Sequence, residues 1–162
     1  MRKTSRMSIL LSKYILIMCI LLFMFLVYRH AGSTTKRFED TRTDFCRELN
    51  LKSLSDNGPR GLKRYYGLNA EDYAGILLYT AKTSMSAEEI LLIQVKDSTQ
   101  LNEIERAISK RLENRKKDFG NYAPEQTALL KQAQFTIKGT YIFMAVSEHA
   151  EDYKAAFIKS LF

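Results

Sequence analysis

Covalent catalysis by a side chain needs a Ser, Thr or Cys beside a base that a third group orients, and this chain offers two histidines for that base, His30 and His149. His30 stands two residues past an apolar run, at its edge. His149 stands between Glu148 and Glu151 at the start of a helical pattern, the setting of a solvent-exposed first-turn residue, and no Gly-x-Ser-x-Gly elbow accompanies it. Cys19 lies inside the apolar run, and Cys46 has no second thiol or histidine nearby. Cys46 therefore reads as a small apolar residue on a helix, and no disulfide can form within the part that follows the run. Metal ligation finds no Cys-x-x-Cys and no His-x-x-x-His, and Asp56-Asn57-Gly58 lacks the downstream ligand alternation of a calcium loop. The seven glycines are spread singly, so no phosphate-cradling loop is present either. No metal and no cofactor are expected.

Charge is the other source of chemistry. Lys110, Arg111, Arg115, Lys116 and Lys117 cluster in the last turns of a long helical pattern, where cations complement the helix dipole and Glu113 pairs with Lys117. A solvated helix end accounts for the cluster; its functional reading is a patch for an anionic partner, a lipid headgroup or wall polyanion. Tyr65-Tyr66 beside Lys63-Arg64 suggests a stacking platform, against which stands the commoner role of partial core. Glu88-Glu89 and Glu151-Asp152 read as surface charges. A hydrolase whose carboxylates or His149 converge only in three dimensions stays open as an alternative, because the separation of such groups is set by the fold.

All of these residues but Cys19 lie beyond a strong address. Tyr14 to Tyr28 is unbroken apolar sequence behind Arg2, Lys3, Arg6 and Lys13. That run spans about 22 Å as a helix, short of a ~30 Å hydrocarbon core unless Ile9 to Ser12 join it and Lys13 snorkels. The expected anchor is 8–28, with 1–7 a basic cytoplasmic head and the C-terminal part outside by the charge rule. A cleaved signal peptide is the alternative, with small residues at Ala31-Gly32-Ser33, and a lipoprotein cysteine at Cys19 is disfavoured by Met18 before it. All 18 acidic residues follow Tyr28 whereas four of the 25 basic ones precede it, so the net +7 falls to +3 outside the head. No nucleic-acid partner is expected unless the topology is reversed, which would make the chain a cytoplasmic-facing polyanion binder.

The elements that must position the chemistry follow from spacing. Lys36 to Leu49 reads as an amphipathic stalk helix and Ser53 to Gly61 as a loop, together a segment 29–61 ahead of the main domain, 62–162. Tyr73 to Ala81 and Ile90 to Val95 read as strands of a hairpin, the second a buried one in which Ser86 and Glu89 only imitate a capping box. Asp97 or Ser98 caps a helix to about Asp118 with Leu101, Ile104, Ile108, Leu112 and Phe119 on its apolar stripe. Pro124 opens a short helix through Ala133, Gln134 to Lys138 and Tyr141 to Ser147 form a second hairpin, and 148–162 closes the chain as a helix. The order predicts an α+β domain, an antiparallel sheet of about four strands with helices packed on one face.

The stretch from Arg64 to Phe162 resembles the bacterial domain of unknown function family 4358. The resemblance rests on YYGLNAEDYAGILLY, SAEEILLIQVKDSTQ, the Arg111 to Phe119 helix end followed by NYAPEQTALL, and KGTYIFMAVSEHAEDYKAAF. It implies a small envelope protein of Firmicutes with one N-terminal membrane helix or lipoprotein signal, and it carries no activity and no catalytic residues. Residues and resemblance together predict a single-pass, extracytoplasmic binding module at the cell envelope, meeting a partner protein or an anionic wall or lipid component.

Overall fold

The computed structural model describes residues 13–25, 37–120 and 122–162. The chain divides into two compact units, Met1–Ser33 and Thr34–Phe162. In the first, residues 13–25 form a helix, α1, whose large apolar side chains, Tyr14, Leu16, Met18 and Phe23 among them, are exposed. Its length corresponds to about 20 Å, and among the described residues no helix is long and apolar enough to cross a membrane. The expected anchor 8–28 extends past α1 at both ends; 8–12 and 26–28 lie outside the described residues, as do His30 and Ala31-Gly32-Ser33.

The second unit is built on one antiparallel sheet. Its strands are β1 (Leu54–Asp56), β2 (Gly75–Ala81), β3 (Glu89–Gln94), β4 (Gln134–Lys138) and β5 (Tyr141–Val146), in the spatial order β1-β2-β3-β5-β4. The helices are α2 (Phe38–Arg47), α3 (Gly58–Tyr66), α4 (Leu101–Phe119), α5 (Pro124–Lys131) and α6 (Ala150–Ser160). Both hairpins agree with the sequence reading, and Asp97 caps as expected, on a 3-10 turn (Ser98–Gln100) that leads into α4. Asp97 Oδ1 accepts from the Thr99 N–H at 2.7 Å while Gln100 Oε1 accepts from the Asp97 N–H at 3.2 Å, a capping box that satisfies donors no helical carbonyl can reach. Ser86 and Glu89 cap nothing, and Glu89 begins β3.

Three expectations need correction. The sheet has five strands, because Leu54–Asp56 pairs antiparallel with β2, Leu54 opposite Ala81; three residues are too few for alternation to show. The segment taken as a loop also starts a helix. Pro59 occupies the first turn of α3, where its missing N–H is no loss, and Gly67 ends α3 in the left-handed region at φ 76°. Lastly, helices cover both faces of the sheet. Leu91, Ile93, Ile142 and Met144 face α3, α4 and α5, whereas Ile90, Leu92, Tyr141 and Phe143 face α2 and α6. Central strands buried on both sides lose their alternation and read as continuous apolar runs, as ILLI and YIFMAV do.

The α2–α6 face closes on aromatic rings. Phe143 stacks on Phe157 at 5.1 Å between centroids and meets Phe45 edge-on at 5.7 Å, and Thr41 and Tyr141 share a hydroxyl hydrogen bond of 3.4 Å beneath them. The expected stalk helix thus forms part of the body, contributing Phe38 and Phe45 to its core. Phe38 requires Gly75 on the strand below: a Cβ there would stand 2.1 Å from the Phe38 ring. Gly75→Ala is expected to cost about 1–3 kcal/mol, the range for one methyl group forced into a filled core, and to cost almost nothing once Phe38→Ala has opened the space. Urea unfolding of the four combinations checks this; an equal cost in both backgrounds contradicts it.

Candidate functional site

The clearest site in the domain lies where α4 passes the turn between β2 and β3. Its foundation is Glu89, the first residue of β3, whose side chain is 4 % exposed. An isolated carboxylate so placed would ionise only at a cost of several kcal/mol. Arg111 offsets that cost by a two-point pairing, donating Nη2 to Glu89 Oε2 at 2.7 Å and Nε to Oε2 at 3.2 Å. The Tyr66 hydroxyl donates to Oε1 of the same carboxylate. One buried group on the sheet therefore gathers α3 and α4.

Aromatic and backbone contacts fix the cations. The Arg111 guanidinium lies 4.6 Å from the Tyr65 ring centroid, and Arg64 lies 5.7 Å from it. Arg115, one turn beyond Arg111, rests 4.5 Å from the Phe119 ring centroid and donates Nη2 to the Ser86 carbonyl at 2.8 Å. Its Nε is buried without a hydrogen-bond partner. From the other side Gln126 of α5 accepts the Ala87 N–H at 2.7 Å, so the turn is held by two helices. Between turn and α4 opens a cleft of about 310 Å³, lined by Tyr65, Lys82, Ser84, Glu89, Arg111 and Arg115 together with neighbouring turn residues.

The electrostatics are those of a partly desolvated basic site. Burial lowers the Arg111 pKa, and hydrogen bonds and charge from Glu89 more than reverse this, leaving it above the ordinary guanidinium value. For Arg115, burial and then the like charge of Arg111 bring the pKa down, with Glu89 and Asp118 opposing. Tyr66 is pushed well above the ordinary tyrosine value, first by burial and then by the charge of Glu89.

The cluster read from sequence divides along these lines. Arg111 and Arg115, four residues apart, share the face that looks onto the cleft. Lys110 and Lys117, seven apart, share another and are exposed, with Lys116 half-buried between the two. Glu89, expected at the surface, is buried because it continues a strand enclosed on both faces; Glu88 accepts from Ser53 and Ser147 at 3.0 and 3.5 Å. Tyr65 and Tyr66 end α3, and the Tyr65 ring carries the protein's own guanidinium groups. Two signals pointed to this arrangement: Arg111 and Arg115 extend the Ile104–Ile108 stripe at helical spacing, and Glu89 adjoins an unbroken apolar run.

Nothing comparable forms around the other candidates. His149 precedes α6 and is exposed, its Nδ1 3.6 Å from Asp152, and among the described residues no hydroxyl or thiol hydrogen-bonds its ring. Cys46 is half-buried on α2, its pKa raised chiefly by burial, in keeping with the packing role expected. No group of His, Cys, Asp and Glu among the described residues could hold a metal ion.

A five-stranded antiparallel sheet between two helical layers, with a basic cleft over one end, defines the class: a single α+β domain with its charged chemistry gathered at one turn. The chain belongs to the family described as Domain of unknown function (DUF4358), which matches residues 47–147, more than half of its length. That match opens before β1 and ends before α6, earlier at both ends than the resemblance read from Arg64 to Phe162, and it contains every residue of the cleft. No curated protein and no solved structure matches the chain.

Alkaline pH tests the buried hydroxyl. With its folded pKa raised above 10, Tyr66 stays protonated where the unfolded chain has lost its proton, so stability is full below about pH 10 and falls as pH rises beyond it. Tyr73, raised to about 12 mainly by burial, adds to the same decline. Absorbance at 295 nm is expected to show the last tyrosines ionising only together with unfolding, and Tyr66→Phe to flatten the loss of stability above pH 10. Ionisation of all nine tyrosines near pH 10 in a folded chain contradicts this.

Proposed function

We propose that this chain is a binding module, tethered to a membrane by its N-terminal segment with its folded body on the extracytoplasmic side of a bacterial envelope. The module takes an anionic envelope component at the cleft between α4 and the β2–β3 turn. The observation that carries the binding role is the cleft itself: its cations are oriented by a buried carboxylate, an aromatic ring and backbone carbonyls before any partner arrives. Such pre-organisation lowers the ordering cost of association.

The tether is supported by sequence and by α1. Apolar side chains are exposed along the helix, an arrangement that water disfavours and a hydrocarbon phase accepts. Helix from Ile9 to Tyr28 would reach about 30 Å. Arg2, Lys3, Arg6 and Lys13 precede the run and outnumber Arg29, Lys36 and Arg37 just after it, which favours a cytoplasmic N-terminus.

Protease treatment of intact cells, with a tag at each end of the chain, tests this topology. The C-terminal tag is expected to be lost and the N-terminal tag kept, with the chain remaining in the membrane fraction after alkaline carbonate washing. A protected C-terminal tag, or release of the full-length chain by the wash, overturns the proposal.

A further inference from the structure

Three cations and two carboxylates line the cleft, yet their charges are not evenly matched. Glu89 is paired with Arg111 and accepts from Tyr66, while Glu88 accepts from the hydroxyls of Ser53 and Ser147 and keeps its charge, so the lining carries one more positive charge than negative. Lys82 donates Nζ to the Lys52 carbonyl at 2.7 Å, and Arg115 donates to the Ser86 carbonyl. Among the described residues neither Lys82 nor Arg115 lies within salt-bridge distance of a carboxylate. A carbonyl accepts a hydrogen bond but cannot neutralise a charge. Arg115 is moreover only partly hydrated, and its buried Nε has no acceptor, an omission that costs about 1–3 kcal/mol at a neutral donor and more at a charged one.

The outward side of α4 provides the contrast. Arg106 and Lys110 share a shallow groove there with Glu105 and Glu113, two cations with two carboxylates, in a solvated setting where charge pairs are worth little. Cations and carboxylates are equal in number in that groove, whereas in the cleft the cations exceed the carboxylates by one.

We infer that the cleft is an oxyanion site, in which Arg115 and Lys82 bind a phosphate or carboxylate group and the hydroxyls of Thr83 and Ser84 complete its hydrogen bonds. The inference rests on the binding-module reading and names the ligand chemistry of the same cleft. Arg111 has a different part: paired with Glu89, it contributes little net charge and acts as a positioning residue that holds α4 against the turn. The lowered pKa of Arg115, from burial and then from Arg111, has the direction that an approaching anion would reverse. An oxyanion is small enough for a cleft of about 310 Å³ with room for the group that carries it.

The test uses the full chain in detergent micelles with 15N-labelled arginine, titrated separately with inorganic phosphate and with acetate at constant ionic strength. The Arg115 Nε–H signal, identified by its loss in Arg115→Lys, is expected to shift saturably with at least one of the two ions as the guanidinium engages it. The tighter-binding ion tells phosphate from carboxylate. By calorimetry, Arg115→Gln is expected to weaken that binding at least about tenfold and Lys82→Gln about threefold or more, within the range for charge-assisted contacts, while Lys110→Gln changes nothing. Unchanged thermal unfolding of each variant shows that the fold is kept. Shifts that grow linearly without saturating, or equal binding by Arg115→Gln, overturn the oxyanion site. If both ions fail while detergent-washed wall fragments or anionic lipid added to the micelles still bind the chain and Arg115→Gln abolishes that binding, the ligand class is wrong and the binding module stands; if neither binds, both fall.

Discussion

Glu89 is the buried charge around which this domain is arranged. A carboxylate at the head of a strand enclosed on both faces can be accommodated only if a cation and a donor reach it, and Arg111 and Tyr66 do so from two different helices. The pair consequently does more than neutralise a charge. It holds the rotation of α4 about its own axis, which places Arg115 over the β2–β3 turn and leaves Lys110 and Lys117 facing away. Apolar packing of Ile104, Ile108 and Phe119 supplies the attraction between α4 and the sheet; the ion pair holds the same rotational setting from the turn side.

The same interaction explains why the cleft is found here. An antiparallel sheet with helices on both faces leaves the side chains of its central strands no route to water except at their ends and turns. The Lys82 to Glu88 connection is such an exit, and it is tied down by Arg115 at Ser86 and by Gln126 at Ala87. A turn held at two points from two helices is a rigid rim. The opposite layer, α2 and α6 over the Phe45, Phe143 and Phe157 rings, carries no comparable concentration of buried charge and serves as packing. Binding chemistry and aromatic packing are thereby separated onto the two faces of one sheet.

How much of this the sequence disclosed depended on the range of the interaction. Local features were legible: the cap at Asp97, Pro124 at the start of α5, both hairpins, and the α4 stripe all announce themselves within a few residues. Features fixed by distant partners were not. β1 becomes a strand only because β2 pairs with it, and SLSDN gives no hint of that. Glu89 beside Glu88 looks like surface charge until Arg111, 22 positions later, is brought onto it. The basic cluster was visible as composition, but its division into cleft-facing arginines and solvent-facing lysines required the helix to be placed on the sheet. Helices were expected on one face from hairpin order, although the loss of alternation in ILLI and YIFMAV is the mark of strands covered on both.

The most direct measurement of the central claim is a double-mutant cycle between Glu89→Leu and Arg111→Met, carried out in a Tyr66→Phe background so that no buried hydroxyl loses its acceptor. Each single change is expected to cost about 3–5 kcal/mol in urea unfolding, because it strands the other charge, and the double change to cost less than either. Costs that simply add would show that the two charges do not depend on each other, and would contradict the account of the domain as organised around their pairing.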